Sequence, residues 1–134
     1  MIERRDPAIR VTAMPADANA YGDIFGGWLM SLMDSAAGLV AARRAKGRAV
    51  TVAMDGVEFH KPVKVGDEVS VYAEITRVGR TSVVIATDAY ARERHSEGEE
   101  RVTSASFTFV AVDNDGKPRA VDAAATETAS QPNA

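Results

Sequence analysis

The residue with the clearest potential for chemistry is Asp34, which is the only charged residue in the apolar segment from 24 to 42. Met30 precedes it by one helical turn, and Gly38 follows it by one turn. A carboxylate in such a setting loses hydration unless a partner compensates for the loss. Two interpretations of this pattern stay open. Asp34 is either a structural aspartate, hydrogen-bonded in the core or across a helix pair, or a general base or nucleophile that faces a cleft between subunits.

A pair of glycines, Gly26 and Gly27, opens the same segment. Backbone N–H groups at a helix N-terminus can hold a developing oxyanion when no side chain is in the way. The alternative is a tight turn that leads into the helix. Eight residues separate Gly26 from Asp34, which is about 12 Å along a helix at ~1.5 Å per residue. A carbonyl carbon must lie within about 3 to 4 Å of both groups. If both are catalytic, they must therefore meet across a dimer interface.

Few other side chains are candidates. Asn19 lies seven residues before the glycine pair, and its amide could position a water or a carbonyl group; a turn residue in a loop is the alternative. Ser31 and Ser35 do not belong to a G-x-S-x-G nucleophile motif. His60 and His95 are far apart and lack the spacing of metal ligands, and the chain has no cysteine. We therefore expect no metal site, no disulfide and no thiol chemistry.

One helix and several strands must position these residues. Periodicity predicts strands at residues 8–13, 50–59, 69–78, 81–91 and 102–113, a helix at 28–44, a bulge at 55–56 and a charged hairpin tip at 92–100. This order is typical of an α+β domain in which an antiparallel sheet of about five to six strands wraps around one long central helix. The helix is apolar on every side, so protein must surround it. Because one helix cannot cover both faces of the sheet, we expect a two-fold dimer.

Length and composition restrict the classes of protein further. The 134 residues suit one domain, which we predict over residues 1–120, followed by a disordered tail over 121–134. The net charge of -3 argues against sequence-independent binding to the phosphates of nucleic acid. The start of the chain lacks the apolar region of a secretory signal, and no apolar stretch approaches the roughly 20 residues of a membrane span. We expect a cytoplasmic protein with no nucleic-acid partner and no membrane insertion.

The segment from 19 to 34, Asn-Ala-Tyr-Gly-Asp-Ile-Phe-Gly-Gly-Trp-Leu-Met-Ser-Leu-Met-Asp, resembles the YciA-like acyl-CoA thioesterases. The similarity extends through the segments 50–52, 57–63, 65–67, 79–82, 107–113 and 116–119, and so covers nearly the whole chain up to the tail. It implies a hotdog fold and hydrolysis of acyl-CoA to free acid and CoA, within fatty acid metabolism. The implied catalytic unit is a homodimer, assembled to a homohexamer as a trimer of dimers. No metal or separate cofactor is implied, since CoA is part of the substrate and the product.

By position, the resemblance implies that Asp34 is the catalytic carboxylate, that Asn19 is a catalytic-site asparagine, and that Gly26 and Gly27 lie at the oxyanion end of the helix. One departure is His60, where the family pattern leads us to expect an apolar residue. This histidine alters either the acyl pocket or only the edge of a strand.

CoA also requires cations near its phosphates. The matching segments offer six side chains for CoA binding: Lys61, Arg80, Thr81, Ser82, Lys117 and Arg119. Ordinary solvated charges are the alternative for each of them. Two other functions stay open. A non-catalytic acyl-CoA sensor would bind without turnover, and a thioester hydratase or dehydratase would pair a histidine with an acid.

Overall fold

The computed structural model describes residues 6–122, which form one helix packed on one sheet. In chain order the elements are β1 (Ile9–Thr12), a 3-10 turn (Pro15–Asp17), α1 (Gly26–Ala45), β2 (Ala49–Phe59), β3 (Glu68–Val78), β4 (Ser82–Arg92) and β5 (Glu99–Ala111). The predicted α+β class and the long helix are confirmed. The helix begins two residues earlier than predicted, because the glycine pair forms its first turn. The sheet of the described residues has five strands, at the lower end of the predicted number.

The sheet is antiparallel throughout, with the strand order β1-β3-β4-β5-β2. The long strands β3, β4 and β5 form its centre, and the hairpin between β4 and β5 is shorter than predicted because both strands extend to Arg92 and Glu99. β2 follows the helix and pairs with β5 at the edge of the sheet. Its other side has no strand partner within residues 6–122, so a second chain has access to that edge.

The core lies between the sheet and one side of α1. Alternate side chains of β4 are buried, among them Val83 and Ile85. The helix contributes a buried stripe of Leu29, Met33, Ala36, Ala37, Ala41 and Ala45, whose spacing is that of one helical face. Small residues let the helix approach the sheet closely. The other face of α1 is left open in one chain, since Leu39 is 48% exposed. The expectation that protein surrounds the whole helix therefore requires a partner chain.

β2 is the least covered strand. Its side chains Val50, Val52 and Met54 are 40%, 56% and 45% exposed, although all three are apolar. The alternating pattern correctly predicts the strand, but these residues do not enter the chain's own core. The predicted bulge is confirmed by a register shift directly after Asp55 and by the left-handed conformation of Gly56, at φ +61°. An exposed apolar edge strand of this kind favours pairing with another chain.

The packed part of the chain extends past residue 120. Val121 is buried, and its amide donates a hydrogen bond to the carbonyl of Arg80 at 2.8 Å. Asp122 accepts a hydrogen bond from Arg44 at 2.8 Å. The folded domain therefore reaches at least Asp122, because Val121 belongs to the buried core. The remainder of the predicted tail, 123–134, lies outside the described residues.

Two findings on the described residues bear on function. Within 6–122, no helix is both long and apolar enough to cross a membrane. In the same part of the chain, no three His, Cys, Asp or Glu side chains are grouped so that they could hold a metal ion.

Candidate active site

Asp34 lies in the third turn of α1 and faces the start of β2. Its Oδ1 accepts a hydrogen bond of 2.6 Å from the hydroxyl of Thr51. The carboxylate is only half-buried and Thr51 is exposed, so the pair lies at the surface of the single chain rather than in its core. Because Thr51 engages one oxygen, the other carboxylate oxygen is left to act on a group that arrives from outside the chain.

Thr51 is a functional candidate that sequence reasoning missed. Its hydroxyl is brought to Asp34 by the chain reversal between α1 and β2, which 17 positions of sequence separate. The only signal in the sequence is a polar residue between Val50 and Val52, and such a residue is ordinary in a half-exposed strand. The long-range pairing is therefore visible only in the fold.

The first turn of α1 presents free backbone amides. Phe25 precedes the helix and makes no side-chain cap, and its carbonyl accepts the amides of Trp28 and Leu29. Within the described residues, the amides of Gly26 and Gly27 donate to no backbone or side-chain acceptor. Two N–H groups at the positive end of a 20-residue helix are thus available to an anion or a polarised carbonyl.

The two glycines differ in their surroundings. A Cβ atom on Gly26 would lie 3.0 Å from the Phe59 ring, whereas a Cβ atom on Gly27 would meet nothing within 4 Å. Neither has a positive φ. Packing inside the chain therefore explains the missing side chain at Gly26 but not at Gly27. A close approach by a group outside this chain would account for a glycine at 27.

Asn19 holds the loop that leads into α1. Its Oδ1 accepts hydrogen bonds from the amides of Tyr21 at 2.8 Å and Asp23 at 3.1 Å. Gly22 takes a left-handed conformation, at φ +87°, which closes the turn. The turn role considered for Asn19 is thus present, and it uses the acceptor atom of the side chain. The two donors on Nδ2 are not involved in these bonds, so Asn19 can still act as a donor.

A pocket of about 330 Å³ opens beside the first turn of α1. It is lined by Asp23, Ile24, Gly26, Leu29, Phe59, His60, Lys61, Pro62 and Val63. Its walls are mainly apolar, and charged side chains lie at its rim. Free amides beside an apolar pocket suit a ligand that has one polar, reactive group and an apolar part.

The residues predicted to bind CoA lie in two places. Lys61 lines the pocket near the start of α1. The others lie near the far end of the helix, where the amide of Ala111 bonds to the Thr81 carbonyl and Arg119 contacts the last turn of α1. A 20-residue helix is about 30 Å long, so one chain does not bring the two sets together.

Arg119 has a structural role at that far end. Its guanidinium donates hydrogen bonds to the carbonyls of Ala45 at 3.0 Å, Val112 at 3.2 Å and Ala120 at 3.1 Å. A Cβ atom on Gly47 would come within 2.6 Å of the same guanidinium. Because these bonds use much of its hydrogen-bonding capacity, Arg119 is poorly placed to bind a phosphate as the sequence led us to expect.

His60 and the serines of α1 show no catalytic arrangement in the described residues. The Nε2 of His60 lies 3.1 Å from the Ser104 hydroxyl and 3.9 Å from the Glu58 carboxylate. Ser104 alternates with buried Thr103 and Ala105, so it faces away from the core. The imidazole of His60 thus lies on the outer side of the sheet, at the strand edge. In α1, the Ser31 hydroxyl donates to the helix carbonyl of Trp28 at 2.9 Å.

Known proteins resemble this chain in both sequence and fold. A family model described as the thioesterase superfamily matches residues 21–97. An uncharacterised acyl-CoA thioester hydrolase of Zymomonas mobilis is 56% identical over 113 residues, covering 84% of this chain and 76% of the relative. The acyl-CoA thioester hydrolase YciA of Escherichia coli is 47% identical over 123 residues, covering 90% and 93%. The crystal structure of a hexameric thioesterase of Yersinia pestis superposes with a TM-score of 0.83 at 46% identity, covering 90% of this chain and 98% of that chain.

A more distant solved structure is the acyl-CoA hydrolase of Staphylococcus aureus in complex with butyryl-CoA and CoA, at 29% identity and a TM-score of 0.79. It covers 84% of this chain, and this chain covers 68% of it. That protein has also been solved with alanine in place of one asparagine, one aspartate and one threonine. There the aspartate follows the asparagine by fifteen positions, and the threonine follows the aspartate by seventeen.

Proposed function

This chain belongs to the thioesterase superfamily, as a member of its YciA group of acyl-CoA thioester hydrolases, and on that premise we propose that it hydrolyses acyl-CoA thioesters through Asp34. The observation that carries the proposal is the Asp34–Thr51 pair at the open face of α1, on a helix whose first turn has free amides. A carboxylate and an oxyanion site are what acyl transfer to water requires. The products are the free acid and CoA.

In this proposal Asp34 acts in one of two alternative ways. As a general base, it takes a proton from a water that attacks the thioester carbonyl carbon. As a nucleophile, it attacks that carbon itself and forms an anhydride, which water then opens. In both cases the C–S bond breaks, and the CoA thiolate leaves and is protonated. Thr51 holds Oδ1 at 2.6 Å and so fixes the orientation of the carboxylate. Its role is to position Asp34.

The oxyanion donor comes from a second subunit in this proposal. Gly27 precedes Asp34 by seven residues, or about 10 Å along the helix at ~1.5 Å per residue, so the two cannot reach one carbonyl from one chain. The unpaired β2 edge, with Val50, Val52 and Met54 exposed, offers a surface for a two-fold partner. Antiparallel helices in such a homodimer bring Gly27 of one chain to Asp34 of the other. Three such dimers form the proposed homohexamer, and the Y. pestis relative is also hexameric.

Asn19 acts as a hydrogen-bond donor to the thioester carbonyl or to the attacking water. Its acceptor atom is engaged in the loop, whereas its Nδ2 donors are available. The spacing of Asn19, Asp34 and Thr51 is fifteen and seventeen positions, the same as that of the three residues changed in the S. aureus hydrolase. This agreement supports the assignment of all three residues to one site.

CoA is held by cations from both subunits. Lys61 lies at the pocket of one chain, and in an antiparallel dimer the far end of the partner's helix approaches it. That end carries Arg80, Thr81, Ser82 and Lys117, which offer charge and hydroxyl donors to the phosphates. Neither a metal nor a separate cofactor takes part in the proposed reaction. The site of action is the cytoplasm, because acyl-CoA carries several phosphate charges and does not cross an apolar bilayer.

The test is CoA release, measured with a thiol reagent, from acyl-CoA substrates of two to sixteen carbons. We expect turnover by the wild type, and a decrease of about 10²- to 10⁴-fold in kcat for Asp34→Asn, the range for loss of a general acid–base group. Circular dichroism and gel filtration check that the variant folds and assembles. Tight acyl-CoA binding by the wild type without CoA release would instead indicate a sensor. A modified thioester that retains CoA would indicate a hydratase or dehydratase.

Mixed oligomers test whether two chains form each site. Asp34→Asn and Asn19→Asp chains are co-expressed with different affinity tags, and the mixed species is purified. If the two residues act from different chains, one of the two sites in each mixed dimer is intact, so a purified mixed dimer has about half of wild-type turnover, and a hexamer of randomly paired dimers has about a quarter. If each site uses one chain alone, the mixture gains nothing over the two inactive parents.

A further inference from the structure

The pocket beside the first turn of α1 is apolar in its depth. Ile24, Leu29 and Val63 are at most 6% exposed and form the floor, and Phe59 and Pro62 add apolar surface at the sides. The pocket has a volume of about 330 Å³ in the single chain. This is the size of a short to medium aliphatic chain.

The charged groups around this pocket lie at its rim, in solvent-exposed ion pairs. Lys64 Nζ donates to the Asp23 carboxylate at 2.6 Å, and Lys61 Nζ donates to the Glu100 carboxylate at 2.6 Å. The imidazole of His60 is directed to Ser104 on the outer side of the sheet. The floor of Ile24, Leu29 and Val63 has no charged side chain, so a ligand charge buried there would be unpaired, which is costly.

Phe59 is the one large aromatic residue among those that line the pocket, so its size affects the space available there. It is the last residue of β2 and is 55% exposed, so it is not part of the core. Its ring lies against Gly26, where a Cβ atom would be only 3.0 Å away. The ring thus lies beside the free amides, at the point where a chain attached to the carbonyl carbon would enter.

We infer that this pocket binds the acyl chain, that it selects unsubstituted aliphatic chains, and that Phe59 sets the upper limit of chain length. The inference rests on the proposed thioesterase function and adds a substrate class to it. Asp34 and the helix amides act on the thioester carbonyl, and Phe59 acts only on the group beyond it.

The pantetheine arm of CoA is the other part of the substrate that could occupy this pocket. It carries two amide groups, and each would need hydrogen-bond partners when buried. The floor residues Ile24, Leu29 and Val63 offer no side-chain donors or acceptors. The backbone carbonyl of Val63 is engaged by the amide of Ile24 at 2.9 Å. An aliphatic chain needs no such partners, which favours the acyl chain as the occupant.

The experiment measures kcat/KM for saturated acyl-CoAs of two to sixteen carbons with the wild type, Phe59→Ala, Phe59→Leu and Phe59→Trp. For the wild type we expect kcat/KM to rise by up to about fourfold for each methylene that enters the pocket, and then to level off or fall. We expect Phe59→Ala to move the optimum to longer chains and Phe59→Trp to shorter ones. Phe59→Leu removes less volume and replaces the alanine variant in the experiment if that variant does not fold. Val78→Ala, at an exposed position near the end of β3, is the control and leaves the profile unchanged.

A second arm compares hexanoyl-CoA with adipoyl-CoA, which has the same length and a terminal carboxylate. We expect the wild type to prefer hexanoyl-CoA by at least about 10²-fold in kcat/KM, because the carboxylate would be buried against the apolar floor without a charged partner. Equal rates for the two substrates would overturn the selection for uncharged chains.

The outcomes separate this inference from the function on which it rests. If the wild type releases CoA from no substrate, the thioesterase proposal itself fails. If the wild type is active but the Phe59 variants keep the wild-type length profile, the acyl-pocket assignment fails alone. If these variants change kcat/KM by one common factor for all lengths, and also change the inhibition constant of free CoA, the pocket binds the pantetheine arm. The inference is then overturned.

Discussion

The two ends of α1 differ in how their backbone groups are satisfied. At the C-terminal end, the amides of Lys46 and Gly47 bond to the Ala42 carbonyl, and Arg119 bonds to the Ala45 carbonyl. At the N-terminal end, Gly26 and Gly27 keep free amides, and no side chain caps the helix. One end of the helix is completed by the chain's own groups, and the other is left for a ligand. Changes at the first end should therefore affect stability, and changes at the second should affect activity.

Among changes at the two ends of α1, Asn19→Asp is expected to have the largest effect on activity. The substitution keeps an oxygen to accept the amides of Tyr21 and Asp23, but it removes both Nδ2 donors and adds a negative charge near the oxyanion site. We expect kcat to fall by about 10²- to 10³-fold, as for loss of one oxyanion donor, with an unchanged melting temperature. Steady-state kinetics and thermal unfolding measure the two quantities. A lower melting temperature with full activity would show that Asn19 serves only the loop.

A smaller loss of activity is expected from Gly27→Ala. The added methyl group meets nothing within 4 Å in the chain, and alanine favours the helix, so the free energy of unfolding should not decrease. If substrate or a partner approaches Gly27 closely, the methyl group displaces it, and kcat/KM falls by about 10²-fold, as for a displacement of ~1 Å.

The matched control for Gly27→Ala is Gly26→Ala. There the new methyl group lies 3.0 Å from the Phe59 ring, which must move. We expect this variant to change the preferred acyl length more than the stability, because the ring that must move is half-exposed and lies outside the buried core. Full activity in Gly27→Ala would remove the argument that an outside group approaches this glycine.

The opposite end of the helix is tested by Arg119→Ala. Loss of three hydrogen bonds from a charged donor leaves the carbonyls of Ala45, Val112 and Ala120 without this partner. We expect the free energy of unfolding to fall by about 2 kcal/mol, as for hydrogen bonds to a charged group, with KM for acyl-CoA unchanged. Urea unfolding and steady-state kinetics measure the two effects. A raised KM at unchanged stability would support the CoA-binding role that the sequence suggested for Arg119.

Much of the fold is predictable from the sequence, because local periodicity determines it. The five strands and the long helix follow from alternation and helix propensity, and the bulge at Asp55-Gly56 follows from one slip in that alternation. The family and the class of enzyme, predicted from the motif between Asn19 and Asp34, are confirmed by the relatives. What alternation cannot show is which apolar side chains face a partner. Val50, Val52 and Met54 have the same pattern as core residues and are exposed in the single chain.

The candidate site is less predictable, because its contacts join distant parts of the chain. Thr51 reaches Asp34 only through the reversal after α1, and no local signal distinguishes it from other strand threonines. Arg119 matches the family segments as Lys117 does, yet the fold directs its guanidinium to backbone carbonyls. Sequence position thus predicts only that a residue belongs to a segment that matches the family. Only the fold distinguishes a ligand-binding cation from a helix cap.

The smallest expected effect concerns Asp113, in the turn that precedes Arg119. Hydrogen bonds from the backbone amides of Lys117 and Asp115 hold the pKa of its carboxyl below the ordinary 3.8, helped by the charges of Lys117 and Arg48. A lowered pKa in the folded state means that the ionised form stabilises the fold. That contribution is present above 3.8 and is lost as the pH falls through the lowered value.

Asp113→Asn keeps an oxygen acceptor but removes the charge. We expect a slightly lower urea midpoint than wild type at neutral pH, a difference that shrinks as the pH falls below the ordinary pKa of 3.8, and unchanged kcat at all pH values where the enzyme is folded. The effect is small because this carboxylate is fully exposed and water screens its charges. A difference in midpoint that grows as the pH falls would show that the charge of Asp113 opposes the turn. A change in kcat at neutral pH would instead connect this end of the helix to catalysis, and the division between its two ends would not hold.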